Sequence, residues 1–388
     1  MADILKTFAK RGERFVIDLV QVVPAEIHQG FRGEAVETLL LSTEGTMLIF
    51  REGLLRPLLI CLGITASTLI ASQASAAVGD ENRVTCMYPV WVGYGPIHVA
   101  NELGFFKDEG ITVDEILDDD MPNAIAAMER GDIDCYLRTV GEYQGLGRRK
   151  TTQGIIIGTI DLSVGGDGWV ADGSIKSVCD LKGKTIAVEP NLPARLLMQM
   201  ALKKECNLSI KDTNLSDIAA ADAVGVFSDP SVSAVGTYEP VLTQVVAAHQ
   251  DRGAHIIASS KEYNDLILDI MMAHTDELHA HPDKYKKFLR AFYRAVDYFY
   301  ANQEEAIPII AKQFSITVDD FKATLPNFRY TPLEESKQFI GTADNPGRAY
   351  EVFREAMDLN LEFGASDVKL YPEDHIDPSI INQIEKDW

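Results

Sequence analysis

Residues 83–117 read RVTCMYPVWVGYGPIHVANELGFFKDEGITVDEIL, and this stretch decides the fold. Arg83–Tyr88 is a short, mostly apolar run with the look of a strand. Trp91–Gly95 is a glycine-rich loop. Pro96 then stands where a helix begins, because its missing N–H costs nothing in a first turn. That helix, 97–104, ends at Gly104. Lys107-Asp108-Glu109-Gly110 is a turn, and Ile111–Leu117 alternates like a second strand. Strand, loop, helix and strand in direct succession make the unit of a parallel sheet covered by helices.

Outward from this unit the pattern repeats. Asp118-Asp119-Asp120 and Met121-Pro122 open a helix over 122–130, Gly131-Asp132 turns, and 133–136 is a strand. The apolar run 154–160 is the next strand. A second unit begins near Trp169, with a strand at 185–188, a helix at 194–205, and strands at 234–236 and 254–258. From Pro282 onward the spacing predicts helices at 283–301, 303–313, 317–324 and 346–363. Each sheet is expected to be mostly parallel.

Composition narrows the function classes. With 46% hydrophobic and 24% charged residues, the chain of 388 is neither disordered nor a disulfide scaffold. Its net charge of −22 repels phosphate backbones, which excludes nucleic acid as a partner. The apolar run from Pro57 to Ile70 is shorter than a membrane span, which needs about twenty residues. It follows Arg51 and Arg56 and leads into Ala74-Ser75-Ala76, so residues 47–76 read as a signal peptide cleaved after Ala76. An uncleaved membrane anchor is the other reading. Ile60 before Cys61 is too bulky for a lipoprotein site. Met47 makes an ordinary start, so residues 1–46 are an extension that a mis-assigned start would explain, a real N-terminal extension being the alternative. Residues 1–76 hold 7 Lys/Arg and 8 Asp/Glu, so the acidity belongs to the exported part.

Several familiar motifs fail. Gly183-Lys184-Thr185 precedes its strand and has Val178 where a phosphate loop needs glycine. Gly93-x-Gly95 has His98 at the third glycine position of a dinucleotide loop. There is no GxSxG and no HExxH. His274, His279 and His281 read as a polar helix entry, and Cys86, Cys135, Cys179 and Cys206 lack zinc spacing. Export permits disulfides, but the spacing does not pair these cysteines, and buried free thiols are an equal expectation. No catalytic residue, cofactor or metal is expected.

Five segments in order resemble the periplasmic binding proteins of ABC importers for nitrate, sulfonates, taurine and thiamine-pyrimidine precursors. They are Gly93–Val113 with its Gly104-Phe105-Phe106 turn, Ala126–Asp134, Ile175–Val188 with Asp180-Leu181-Lys182-Gly183-Lys184, Tyr238-Glu239-Pro240, and His281-Pro282 with the helix after it. The resemblance implies a two-lobed α/β periplasmic-binding-protein fold of type II with a hinge between the lobes. Lobe 1 would be 83–166 plus 272–388 and lobe 2 would be 168–268. The crossovers would fall near Gly165–Trp169 and Asp269–His274.

In such a fold the ligand lies at the carboxyl ends of the strands, between the lobes. The loops there carry Trp91 and Tyr94, then Asp119, Glu142, Asp167, Glu189, Asn191, Glu239 and Asp269. Arg138 and Arg195 are the main basic candidates. Carboxylates facing a closed cleft need a positive partner, and aromatic faces add cation–π attraction. The expectation is an amine-, amidine- or aminopyrimidine-bearing ligand, cationic or zwitterionic. A small anion such as nitrate, a sulfonate or taurine is the alternative, since helix N-termini can hold anions. Individual acids have plainer readings: Glu142 as a first-turn residue, Glu239 as a brace for its turn, Asp118–Asp120 as a solvated run.

The implied partners are an ABC permease and its ATPase subunits. The protein would be a periplasmic monomer that meets the membrane only through its signal segment or the permease. A thiamine-pyrimidine synthase-like enzyme and a sensor partner of a membrane receptor are readings of other classes. The scattered cysteines and the signal segment oppose the enzyme.

Overall fold

The first strand is buried from its second residue onward, and this fixes its place inside a sheet. The computed structural model describes residues 80–388 apart from 146 and 264. The signal peptide expected at 47–76 and the extension expected before it lie outside the described residues. Among the described residues no helix is long and apolar enough to cross a membrane.

Two mixed sheets form. The first contains β1 (Arg83–Tyr88), β2 (Thr112–Leu117), β3 (Cys135–Thr139), β4 (Ile155–Ser163), β10 (Leu268–Ala273) and β11 (Phe328–Tyr330) in the order β11-β4-β10-β3-β1-β2. The second contains β5 (Asp167–Ala171), β6 (Thr185–Val188), β7 (Asn214–Asp217), β8 (Val232–Tyr238) and β9 (His255–Ser259) in the order β7-β6-β8-β5-β9. The expectation of mostly parallel sheets needs correction. β10 pairs antiparallel with β3 and β4, β11 antiparallel with β4, and β5 antiparallel with both β8 and β9.

The cause is topological. β5 is the strand by which the chain enters the second sheet, and β10 is the strand by which it returns to the first. Each starts at the carboxyl end of the preceding strand and runs back through the middle of its sheet. The return crossing occupies the segment between Ser259 and Leu268, so the expected crossover at Asp269–His274 falls largely within β10.

Helices cover the sheets where the sequence places proline in a first turn: α1 (Gly95–Glu102), α2 (Met121–Arg130), α4 (Pro193–Cys206) and α5 (Pro282–Ala301). Between them lies the short α3 (Val140–Gln144), closed by a capping box in which Thr139 and Glu142 satisfy each other. Near the C-terminus α6 (Arg348–Phe363) buries Tyr350, Phe353 and Met357 on one face.

All four cysteines among the described residues are paired. Cys86 and Cys135 sit opposite each other on the parallel strands β1 and β3, and Cys179 joins Cys206 at the end of α4. Neither pairing was legible from spacing. Cys86 and Cys135 are fully buried, whereas Cys179 is exposed. Mild reduction of the folded protein, followed by alkylation and peptide mass spectrometry, should label Cys179 and Cys206 and spare Cys86 and Cys135. Labelling in the reverse order would contradict this arrangement.

Candidate functional site

The forward strands of both sheets end towards each other, and their ends enclose a cavity of about 420 Å³. β1 delivers Pro89, Val90, Trp91 and Tyr94; the segment after β2 delivers Asp119; β3 and α3 deliver Arg138, Thr139 and Glu142. From the second sheet come Asp167, Glu189, Leu192, Pro193, Ala219–Ala221 and Tyr238, and the start of β10 adds Asp269. Trp91 and Tyr238 meet edge to face across the sheets, 6.1 Å apart at 90°. The volume suits a small organic molecule. A second cavity, about 590 Å³, opens beside His98, Glu115 and Lys312 away from the strand ends.

Seven of the nine residues expected at the cleft line this cavity: Trp91, Tyr94, Asp119, Glu142, Asp167, Glu189 and Asp269. The other two are turned to local duties. Asn191 has a left-handed backbone (φ 63°) and its amide donates to the carbonyl of Glu142 at 3.2 Å, tying a second-sheet loop to α3. Glu239 accepts from the hydroxyl and backbone N–H of Thr243 at 2.8 and 3.2 Å and so braces the start of the next helix. The motif Tyr238-Glu239-Pro240 thus presents its tyrosine to the cavity, not its acid. Asp161, in the middle of β4, was missed. It is wholly buried and accepts from the indole N–H of Trp91 at 3.3 and 3.4 Å. A Cβ at Gly93 would overlap both partners, which explains the glycine. An acid inside the otherwise apolar Ile160–Leu162 was the available signal.

The electrostatics are one-sided. Arg138 is the only cation among the lining residues, and each of its three nitrogens donates within the protein. Its Nε donates to the Tyr136 hydroxyl at 2.7 Å, one terminal nitrogen to Glu142 at 2.9 Å, and the other to the carbonyl of Asp119 at 2.9 Å. The second oxygen of Glu142 accepts from the N–H and hydroxyl of Thr139. Burial pushes the Asp167 carboxyl up to about 7, with Ser163 pulling it down and Glu142 adding repulsion. Burial raises Asp269 well above the carboxylate range, reinforced by Asp161 and only partly offset by the Tyr94 hydroxyl donated to it. Asp161 is raised by burial too, against the indole hydrogen bond and with repulsion from Asp167. Glu189 is raised by burial although it accepts from the N–H of Ala220 at 2.8 Å.

Comparison with known proteins agrees with this architecture. A protein of Brucella abortus (strain 2308), whose name provisionally calls it a binding protein, is 23% identical over 277 residues, 70% of this chain and 84% of its own length. Among solved structures, the periplasmic aliphatic sulphonate binding protein of Escherichia coli superposes with a TM-score of 0.61 at 16% identity, covering 76% of this chain and 92% of its own. The periplasmic nitrate-binding protein of Synechocystis gives 0.59 at 14% identity, covering 78% and 86%. These likenesses establish the periplasmic-binding-protein fold. The fold also serves catalysis, since a desulfurization enzyme shares it with a TM-score of 0.53 at 14% identity. The family described as NMT1/THI5 like matches residues 91–306, more than half of the sequence, and the chain belongs to that family.

Proposed function

We propose that this chain is an exported solute-binding protein that catches a small amine-, amidine- or aminopyrimidine-bearing molecule between its two sheets and hands it to an ABC permease. The observation that carries this reading is the cavity wall. Glu142, Asp167, Glu189 and Asp269 converge there around a single arginine already spent on Glu142. A ligand cation would supply the partner that Asp167, Glu189 and Asp269 lack, and Trp91 and Tyr238 would flank it. The two sheets act as lobes that close by hinge motion about the crossovers at Val164–Gly166 and between Ser259 and Leu268. The protein works as a periplasmic monomer, and ATP is consumed by separate subunits of the importer.

An anion is the second reading, motivated by the names of the sulphonate- and nitrate-binding neighbours. The site gives it less support. The charge of Arg138 is already paired with Glu142 and each of its nitrogens donates within the protein, and the N-terminus of α3 is already closed by its capping box. The lining side chains serve recognition better than turnover, and we read the site as binding, not catalytic.

Titration calorimetry separates the two readings. Benzamidine, 1,4-diaminobutane or an aminopyrimidine should bind, and nitrate and methanesulfonate should not. Tight binding of the anions with none of the cations would overturn the ligand class. Native mass spectrometry of protein purified without refolding should show a co-purified molecule of the first kind.

A further inference from the structure

Asp161, Asp167 and Asp269 come from three different strands, and their carboxyl groups are 0%, 5% and 3% exposed by residue. Among the described residues none of the three has an ion-pair partner. The groups beside them are neutral: the indole of Trp91 donates to Asp161, the hydroxyl of Tyr94 donates to Asp269, and the Ser163 hydroxyl beside Asp167 accepts that residue's backbone N–H at 3.2 Å.

The neighbours on every packed element are acids or phenols. Asp161 faces Asp167, with Tyr330 and Tyr300 on its outer side. Asp167 faces Glu142 from α3. Asp269 faces Asp161, Glu142 and Asp167, and Tyr94 faces all but the last of these. Glu189, Asp119 and Tyr238 close the far wall. Arg138 is the single cation, and it is bound to Glu142 and Tyr136.

Three unpaired carboxylates so placed would each cost several kcal/mol, and such groups take up protons instead. We propose that the cleft exchanges protons for its ligand: the empty site holds the Asp161, Asp167 and Asp269 carboxyls protonated, and an entering cation displaces at least one proton, that of Asp167, into solvent. This rests on the reading of the ligand as cationic. Asp167 is the group that discharges because it alone of the three both lines the cavity and has its ordinary titration moved only as far as about 7. Asp161 lies outside the lining, and Asp269 keeps the hydroxyl of Tyr94.

Release of one proton makes the affinity rise with pH. From a group titrating at about 7, binding is about hundredfold weaker at about pH 5 than at about pH 8. The exchange is independent of the ligand's own titration if the probe stays charged throughout, as benzamidine does.

Two measurements test it together. Infrared spectra of the ligand-free protein at about pH 6 should show the carbonyl stretch of protonated carboxylic acids, diminished in Asp167→Asn. Calorimetry with benzamidine, in two buffers of different ionisation enthalpy at each pH, should show protons leaving the protein at about pH 7 and few leaving at about pH 8. Absence of the infrared band overturns the proposal. Binding of benzamidine with no proton release at about pH 7 and a pH-independent affinity overturns it while leaving the cationic ligand standing. The band together with no binding of benzamidine or 1,4-diaminobutane overturns the ligand reading, and the exchange with it.

Discussion

Lys284→Met should destabilise the protein by about 3–5 kcal/mol, one of the largest effects available to a single substitution outside the cleft. The ammonium is wholly buried and donates to Asp134 at 2.8 Å and to Glu277 at 3.0 Å. Asp134 is a knot. Its other oxygen accepts the N–H of Thr85 in β1 at 2.8 Å, and its carbonyl accepts from His274 after β10 and from the Tyr285 hydroxyl on α5. Removing the cation leaves two carboxylates facing each other without water. Thermal melts should fall by roughly 10 °C, given roughly 2–4 °C per kcal/mol in a domain of this order of size. Adding Asp134→Asn and Glu277→Gln to Lys284→Met should recover much of the loss, because a neutral set is far cheaper to bury than an unpaired charge. A melting point within a degree or two of the native protein for the single variant would refute the account. Ligand affinity, measured well below the transition, should be nearly unchanged, because Asp134 lies before β3 and the cavity lies beyond its other end.

The same residues show what the sequence could and could not reveal. Ala126–Asp134 and His281-Pro282 with the helix after it are two of the five segments that mark the family resemblance. The structure joins them through Lys284 and Asp134, so this part of the resemblance reports a shared core rather than a shared ligand. The strand–helix alternation was legible because prolines at 96, 122, 193 and 282 stand in first turns and the strands before them are short apolar runs. Four strands were not. β5 and β10 are buried along their whole length and so lack the alternation that marks a half-exposed strand. β7 is a short polar edge, and β11 has only three residues. At the site, acids on strand-end loops could be placed from the topology. Asp161 could not, because its role depends on the indole of Trp91, seventy residues away in sequence. The disulfide partners were equally hidden, since β1 and β3 become neighbours only when the sheet forms.

Asp167→Asn should weaken binding of a cationic ligand by about hundredfold or more and yet stabilise the empty protein at alkaline pH. The sign follows from linkage. The carboxyl of Asp167 titrates at about 7 in the folded protein, against about 3.9 in an unfolded chain, so between these values the folded state binds more protons. Stability of the native protein therefore gains from this group as pH falls from about 8 to about 5, by about 2–3 kcal/mol. His375 works the other way. Burial, with the charge of Arg148, pushes its imidazole down to about 4, so the unfolded chain takes up the proton first, and stability is lost as pH falls from about 6.5 towards about 4. The pH profile of the native protein alone is thus a sum of opposing terms. The difference between native and Asp167→Asn melts cancels His375, which is unchanged between them. Asparagine resembles the protonated acid in shape and carries no charge, so the variant should melt higher than the native protein at about pH 8 and close to it at about pH 5. Saturating benzamidine should reverse the order at about pH 8, because it raises only the native melt through mass action. A pH-independent difference between the two melts would mean that Asp167 is charged in the empty cleft. A variant that still binds benzamidine with native affinity would remove Asp167 from the ligand's surroundings altogether.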